Sequence, residues 1–183
     1  MSSLGFPFVQ HATSNWLASH ARVRPDAEAL FDEGTGRRWT WTSLYRESLA
    51  WAARLRAEGV VPGDRVAVLA LNRGETFALL FACAELGAIL VPMNWRLSAD
   101  ELRWQLEDCG AHVVFADQAH LDGTVDVGRP LMSLESGPGA EADSLGPAPG
   151  SALSDPWVIL YTSGSTGRPK GAMLTHQQVH WNA

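Results

Sequence analysis

The chain has 183 residues, 14 basic against 20 acidic side chains for a net charge of −6, and a hydrophobic fraction of 46%. That length suits one domain, or one domain with a loosely packed tail. The acidic balance, with no basic stripe, argues against a nucleic-acid partner, and no apolar run reaches transmembrane length.

The opening Met1-Ser2-Ser3-Leu4-Gly5-Phe6-Pro7 lacks the basic start and long apolar stretch of a signal peptide. Cys83 and Cys109 stand alone in apolar helical settings without metal-ligand spacing, so both read as reduced packing residues. The expectation is a soluble, cytoplasmic chain.

Residues 13–22 predict a helix with Trp16, Leu17 and His20 on one face, closed by Pro25. Residues 27–31 and 37–41 predict two strands around a turn at 32–36. Thr42 is the expected N-cap of a helix running to about Glu58, with a stripe of Tyr45, Leu49, Ala52 and Leu55 and Gly59 just beyond its end. After the turn Pro62-Gly63-Asp64, residues 66–71 form a continuous apolar run, the mark of a parallel strand buried on both faces.

A helix over 75–86 ends at Gly87, and a second buried strand over 88–91 stops at Pro92. Ser98 and Glu101 form a capping-box pattern that opens a helix ending near Cys109, with Gly110 after it. Residues 112–116 predict a third strand. This alternation implies an α/β fold: a doubly wound, largely parallel sheet with helices on both faces.

Residues 133–156 are rich in Ser, Gly, Pro, Ala and acidic side chains, and read as a flexible linker between a 1–132 α/β part and a 157–183 part. Residues 157–161 return as a buried strand, 171–174 as its partner, and Thr175 as the N-cap of a last helix. Asp117, Asp122 and Asp126 lack the glycine-centred spacing of a calcium loop. The eight tryptophans are scattered, without a base-stacking pattern.

Lys170 is the only lysine. It closes the densest Gly/Ser/Thr cluster of the chain, Thr162-Ser163-Gly164-Ser165-Thr166-Gly167-Arg168-Pro169-Lys170. An ammonium on a flexible stem acts as a point charge on phosphate. Glycines let backbone N–H groups approach an anion closely, and hydroxyls add short donors. The pattern therefore points to a phosphate-wrapping loop; turn chemistry alone is the competing reading.

It is not the P-loop, because Pro169 separates Arg168 from Lys170 and no Ser or Thr follows the lysine. Proline also turns Arg168 away, so that side chain is expected in solvent. Tyr161 reads as a strand-end packing residue. His176 reads as a structural or pocket-lining group kept neutral at a helix N-terminus.

The stretch from Ile159 to His176 resembles the signature of the adenylate-forming superfamily of acyl-CoA synthetases, luciferases and peptide-synthetase adenylation domains. Ser165 stands where that family usually has Thr. Residues 39–44, 61–68 and 83–94 resemble successive N-terminal landmarks of acyl-CoA synthetases. Residues 94–98 with Glu101 and Leu102 are similar to fatty-acyl-type members and argue against a peptide-synthetase domain.

The resemblance implies that Thr162, Ser163, Gly164, Ser165, Thr166, Gly167 and Lys170 bind the phosphates of ATP. It implies Mg²⁺ in the parent enzyme, a carboxylic acid as substrate and CoA as co-substrate. The family's later Tyr-Gly-x-Thr-Glu-type motif, its ribose-binding Asp and its C-terminal catalytic lysine have no counterpart here. The expectation is thus the N-terminal portion of a ligase, inactive by itself; a non-catalytic nucleotide-binding fragment is the alternative. The sequence leaves the acyl substrate, its chain length and the oligomeric state open.

Overall fold

A computed structural model describes residues 15–122, 126–139, 152–162 and 168–182. The chain opens with α1 (Asn15–Val23), then the hairpin β1 (Glu28–Phe31) and β2 (Arg38–Thr40), which form their own two-stranded sheet. The next elements are α2 (Trp41–Ala57), β3 (Arg65–Leu69), α3 (Gly74–Leu86), β4 (Ile89–Pro92), α4 (Ala99–Cys109) and β5 (Ala111–Ala116). The remainder comprises α5 (Gln118–Asp122), β6 (Met132–Ser133), β7 (Pro156–Thr162), β8 (Lys170–Thr175) and α6 (His176–Trp181).

Six strands make one sheet in the order β6-β5-β3-β4-β7-β8. All neighbours are parallel except β7 and β8, which are antiparallel. The buried apolar run of β3 explains its central place. Val66 and Val68 face a core shared with Trp51, Leu55, Leu79 and Cys83 from α2 and α3. Ala67 and Leu69 face the opposite core with Leu102 and Leu106 of α4. Apolar side chains on both pleats thus cover both faces, as the doubly wound α/β reading requires.

Helix ends follow local chemistry. Ser98 accepts from the Glu101 N–H, and the Glu101 carboxylate accepts from the Ser98 N–H, so α4 starts with a reciprocal box. It stops at Gly110, whose φ of 58° lies in the left-handed region open to glycine.

One cap expectation needs correction. α2 is capped by Thr40, not Thr42, because only Thr40 has Ser43 at the position that returns the hydrogen bond. β4 ends at Pro92, which pairs with Val68, and the Met93 N–H bonds 2.9 Å to the Val68 carbonyl.

The compositional boundary at 133 falls inside β6, which pairs with β5. Leu134 beyond it is buried, and Glu135 forms an ion pair with Arg73. Residues 132–139 are therefore anchored to the sheet, and 140–151 lie outside the described residues. β7 bonds to β4, so residues 157–162 extend the same sheet as the earlier strands.

Among the described residues no helix is long and apolar enough to cross a membrane.

Candidate functional site

The parallel strands end along one edge of the sheet, where open α/β folds bind ligands. β7 reaches that edge buried at Trp157, Val158 and Ile159, with Leu160 and Thr162 exposed and Tyr161 half-buried. Its antiparallel return sets Thr162 opposite Lys170. The Thr162 hydroxyl sits 3.5 Å from the Lys170 carbonyl, so the two ends of the Gly/Ser/Thr segment are held together. Both residues are exposed, and among the described residues Lys170 makes no ion pair. Ser163, Gly164, Ser165, Thr166 and Gly167 lie outside the described residues.

The flanking groups hold this hairpin in register against α4. Tyr161 is half-buried and its hydroxyl donates to Asp108, 2.6 Å away. Burial and the Asp108 carboxylate both push its pKa up, so the phenol stays protonated and serves as an anchor. Gly171 faces that ring: a Cβ there would lie 3.0 Å from Ile159 and 3.4 Å from Tyr161. Arg168 extends over the Trp104 ring, 5.7 Å to the centroid. It is exposed, as expected, but packed on an aromatic face rather than loose in water.

His176 is fully buried and stacks on Trp157, with 5.1 Å between centroids and 6° between planes. Burial lowers its pKa, and the nearby Asp155 opposes that shift. The ring thus packs the start of α6 against β7. The Trp157 indole N–H donates 2.8 Å to the Leu80 carbonyl, tying β7 to α3. Asp155 and Leu153 accept from the N–H groups of His176 and Gln177, fastening α6.

Sequence reasoning missed a polar group at the end of β5. Asp117 is buried and accepts from the N–H of Leu71 at 2.9 Å and of His120 at 3.1 Å, and pairs with the His120 ring. Burial pushes its pKa up, but these hydrogen bonds outweigh it and the net shift is downward. The available signal was an aspartate directly after an apolar strand and three residues before a histidine. Its partners make it a cap and a loop tie.

Among the described residues no group of three or more His, Cys, Asp or Glu could hold a metal ion. The described ends of the hairpin offer a hydroxyl and an ammonium. An ammonium repels a dication, so these residues do not fit Mg²⁺ but do fit phosphate oxygens.

The doubly wound sheet, with a hydroxyl-and-lysine hairpin at the end of a buried strand, is an α/β fold of the adenylate-forming class. The family model described as AMP-binding enzyme matches residues 17–183, and the chain belongs to that family.

It is 42% identical to a feruloyl-CoA synthase of Amycolatopsis sp over 170 residues, covering 92% of this chain and 34% of that protein. It is 36% identical to the long-chain-fatty-acid–CoA ligase FadD13 of Mycobacterium tuberculosis over 178 residues, covering 90% of this chain and 35% of that one. The solved structure of a Mycobacterium tuberculosis fatty acyl CoA synthetase superposes with a TM-score of 0.80 at 31% identity, over 92% of this chain and 35% of that chain. The chain spans about a third of the length of these relatives.

Proposed function

We propose that this chain supplies the ATP-phosphate-binding arm of an AMP-forming acid–CoA ligase. A carboxylate oxygen of the acid attacks the α-phosphorus of ATP, the α–β bridging P–O bond breaks, and pyrophosphate leaves. The CoA sulfur then attacks the acyl carbon, forming the thioester and releasing AMP. Lys170 neutralises the charge that builds on the departing pyrophosphate, and Thr162 with Ser163 to Gly167 supplies hydroxyl and N–H donors to the phosphates.

The observation that carries this reading is the Thr162–Lys170 closure, which brings both ends of that segment to the ligand edge of the sheet. The names of the relatives support a carboxylic acid and CoA as substrates. Both ATP and CoA are small-molecule partners available in the cytoplasm, where we place the reaction. The described residues hold no fitting Mg²⁺ site, so no step is assigned to the metal.

A second acceptor is favoured by one observation. A fatty acid–[acyl-carrier-protein] ligase of Streptomyces coeruleorubidus is 35% identical over 173 residues, so the thiol could belong to a carrier protein. Supplying a parent enzyme with acyl-adenylate and either CoA or a carrier protein separates the two.

Lys170→Ala in a full-length parent tests the main reading. Adenylation should slow by a barrier increase of about 3 kcal/mol, while thioester formation from supplied acyl-adenylate should be nearly unchanged. Lys170→Arg should also be impaired, because a planar fork does not replace a compact ammonium. Equal damage to both half-reactions would make Lys170 structural. The 183-residue chain alone should show no ATP–pyrophosphate exchange with any carboxylic acid, since its one lysine is assigned to the phosphates and it has no second lysine for catalysis. Robust exchange would overturn that part.

A further inference from the structure

The phosphate hairpin is not the only feature at the ligand edge of the sheet. β3 is followed by α3, which packs on one face, and β4 by α4, which packs on the other. Connections that leave two neighbouring strands toward opposite faces open a crevice between their ends. A cavity of about 560 Å³ occupies that place. Its walls include Val68 of β3, Leu80 of α3, Leu90 of β4 and Val158 of β7. Phe77 and Trp95 stand at its lining, 51% and 38% exposed.

The charge of the lining is the second observation. In a chain with six more acidic than basic residues, this lining holds two arginines and no carboxylate. Arg73 is engaged by Glu75 and Glu135. Arg96 makes no ion pair among the described residues; its guanidinium lies over the Trp95 ring, 4.3 Å from the centroid. Asn72, Thr76 and Asn94 add neutral hydrogen-bonding groups to the lining. A concave, mainly apolar cavity with a few convergent polar groups and one uncommitted cation is built for a particular kind of ligand.

We propose that the crevice between the ends of β3 and β4 is a binding site for an organic anion with an apolar body, seated on Val68, Leu80, Leu90 and Val158 with its anionic group at Arg96. The head group can be a carboxylate or a phosphate, because a guanidinium pairs with both through two parallel hydrogen bonds. An uncharged molecule of the same shape gains the apolar contacts and loses the charge-assisted ones. The site lies beside β7 and shares Val158 with it, but uses none of residues 162–170.

Amide chemical-shift titration of the 183-residue chain, without nucleotide, tests this with three probes: 2-naphthoate, 2-naphthyl phosphate and neutral 2-naphthamide. Saturable shifts confined to residues 70–77 and 90–96, with an anion binding on the order of tenfold more tightly than the amide, support the site; the tighter of the two anions identifies the head group. Arg96→Leu should remove that anion preference and Arg96→Lys should retain part of it, whereas the exposed Arg22→Leu should leave the titration unchanged.

Equal binding of amide and anions, or shifts scattered over the surface, would overturn the proposal. Because neither ATP nor Lys170 enters the titration, its failure leaves the reading of the phosphate hairpin standing. Failure of the Lys170 test likewise leaves this site standing.

Discussion

The body of the molecule, from β1 to β5 with α2, α3 and α4, and its outer limb, from β7 to α6, are built differently. In the body several buried polar groups are answered, while the Trp51 indole N–H and Gln105 Oε1 lie buried without a hydrogen-bond partner among the described residues. Asp32 accepts from the Gly74 N–H at 2.9 Å, Trp39 donates 2.7 Å to Glu47, and Arg37 bridges Glu47 and Glu75. In the limb, β8 is exposed over most of its length, Met173 and Trp181 are 62% and 76% exposed, and Lys170 has no acidic partner among the described residues. The contrast separates committed from uncommitted charge. A cation already committed to a carboxylate has little left for a ligand, whereas an uncommitted one at the end of a buried strand does.

Trp157 joins the two regions, so its loss should have the largest effect. It is 1% exposed, bonded to Leu80 and stacked on His176. Trp157→Ala should lower global stability by about 4 kcal/mol, read as a shift of the urea midpoint. A loss visible only as faster amide exchange in β8 and α6 would show that the limb is merely appended. Gly74→Ala probes the body alone. The added Cβ would sit 2.3 Å from the Trp39 ring, which is itself 1% exposed and cannot retreat. Overpacking should cost about 3 kcal/mol, again by urea titration, and a neutral result would mean that the hairpin yields easily.

The same contrast governs how much was legible in the sequence. The buried run of β3 and the Ser98, Glu101 and Gly110 signals of α4 specify their elements locally, and the structure matches them. So does the capping Thr175 of α6. The shift from Thr42 to Thr40 was decided by Ser43, a choice between two threonines on either side of Trp41 that propensity alone does not separate.

β6 has two residues, too few for any periodicity, and Leu134 is a single apolar group in a stretch whose composition reads as a linker. At the site, the strand of Thr162 and its return at Lys170 were legible from the apolar run and the Gly/Ser/Thr segment between them, and the structure pairs the two residues. The crevice was not, since Arg96, Asn72 and Val158 converge only through strand order.

Acidification should separate the regions in turn. His176 has a folded-state pKa lowered by burial, so the unfolded chain takes up its proton first. Its contribution is present above the unfolded value of about 6.5 and is lost as pH falls below it, until the lowered folded pKa is passed. Asp32, Asp117 and Glu135 have folded pKa values below their ordinary carboxylate values. The Gly74 N–H leads for Asp32; for Asp117 and Glu135, hydrogen bonds outweigh burial. Their contribution is present above the unfolded carboxylate pKa and is lost as pH falls through the folded one.

Stability against pH should therefore fall in two stages, with α6 and β8 affected near pH 6 and the body below about pH 4. His176→Gln should remove the first stage and leave the second. A single acid transition, unchanged in that variant, would show that the limb does not respond separately.

The smallest effect gives the sharpest comparison, because both regions carry the same capping device. Ser98 and Glu101 start the eleven-residue α4, and Thr175 and Gln178 start the six-residue α6. Ser98→Ala removes the acceptor for the Glu101 N–H and one half of the box, which should cost about 1 kcal/mol. Because α4 packs Leu102 and Leu106 into the core, that loss should appear in the global urea midpoint.

Thr175→Ala removes the equivalent acceptor for the Gln178 N–H. A six-residue helix with exposed outer residues can open without unfolding the sheet. The same local loss should therefore leave the urea midpoint nearly unmoved and raise amide exchange in residues 176–181 severalfold. Equal shifts of the midpoint for both variants would mean that α6 unfolds only with the sheet, and that the limb shares the cooperativity of the body despite its exposure.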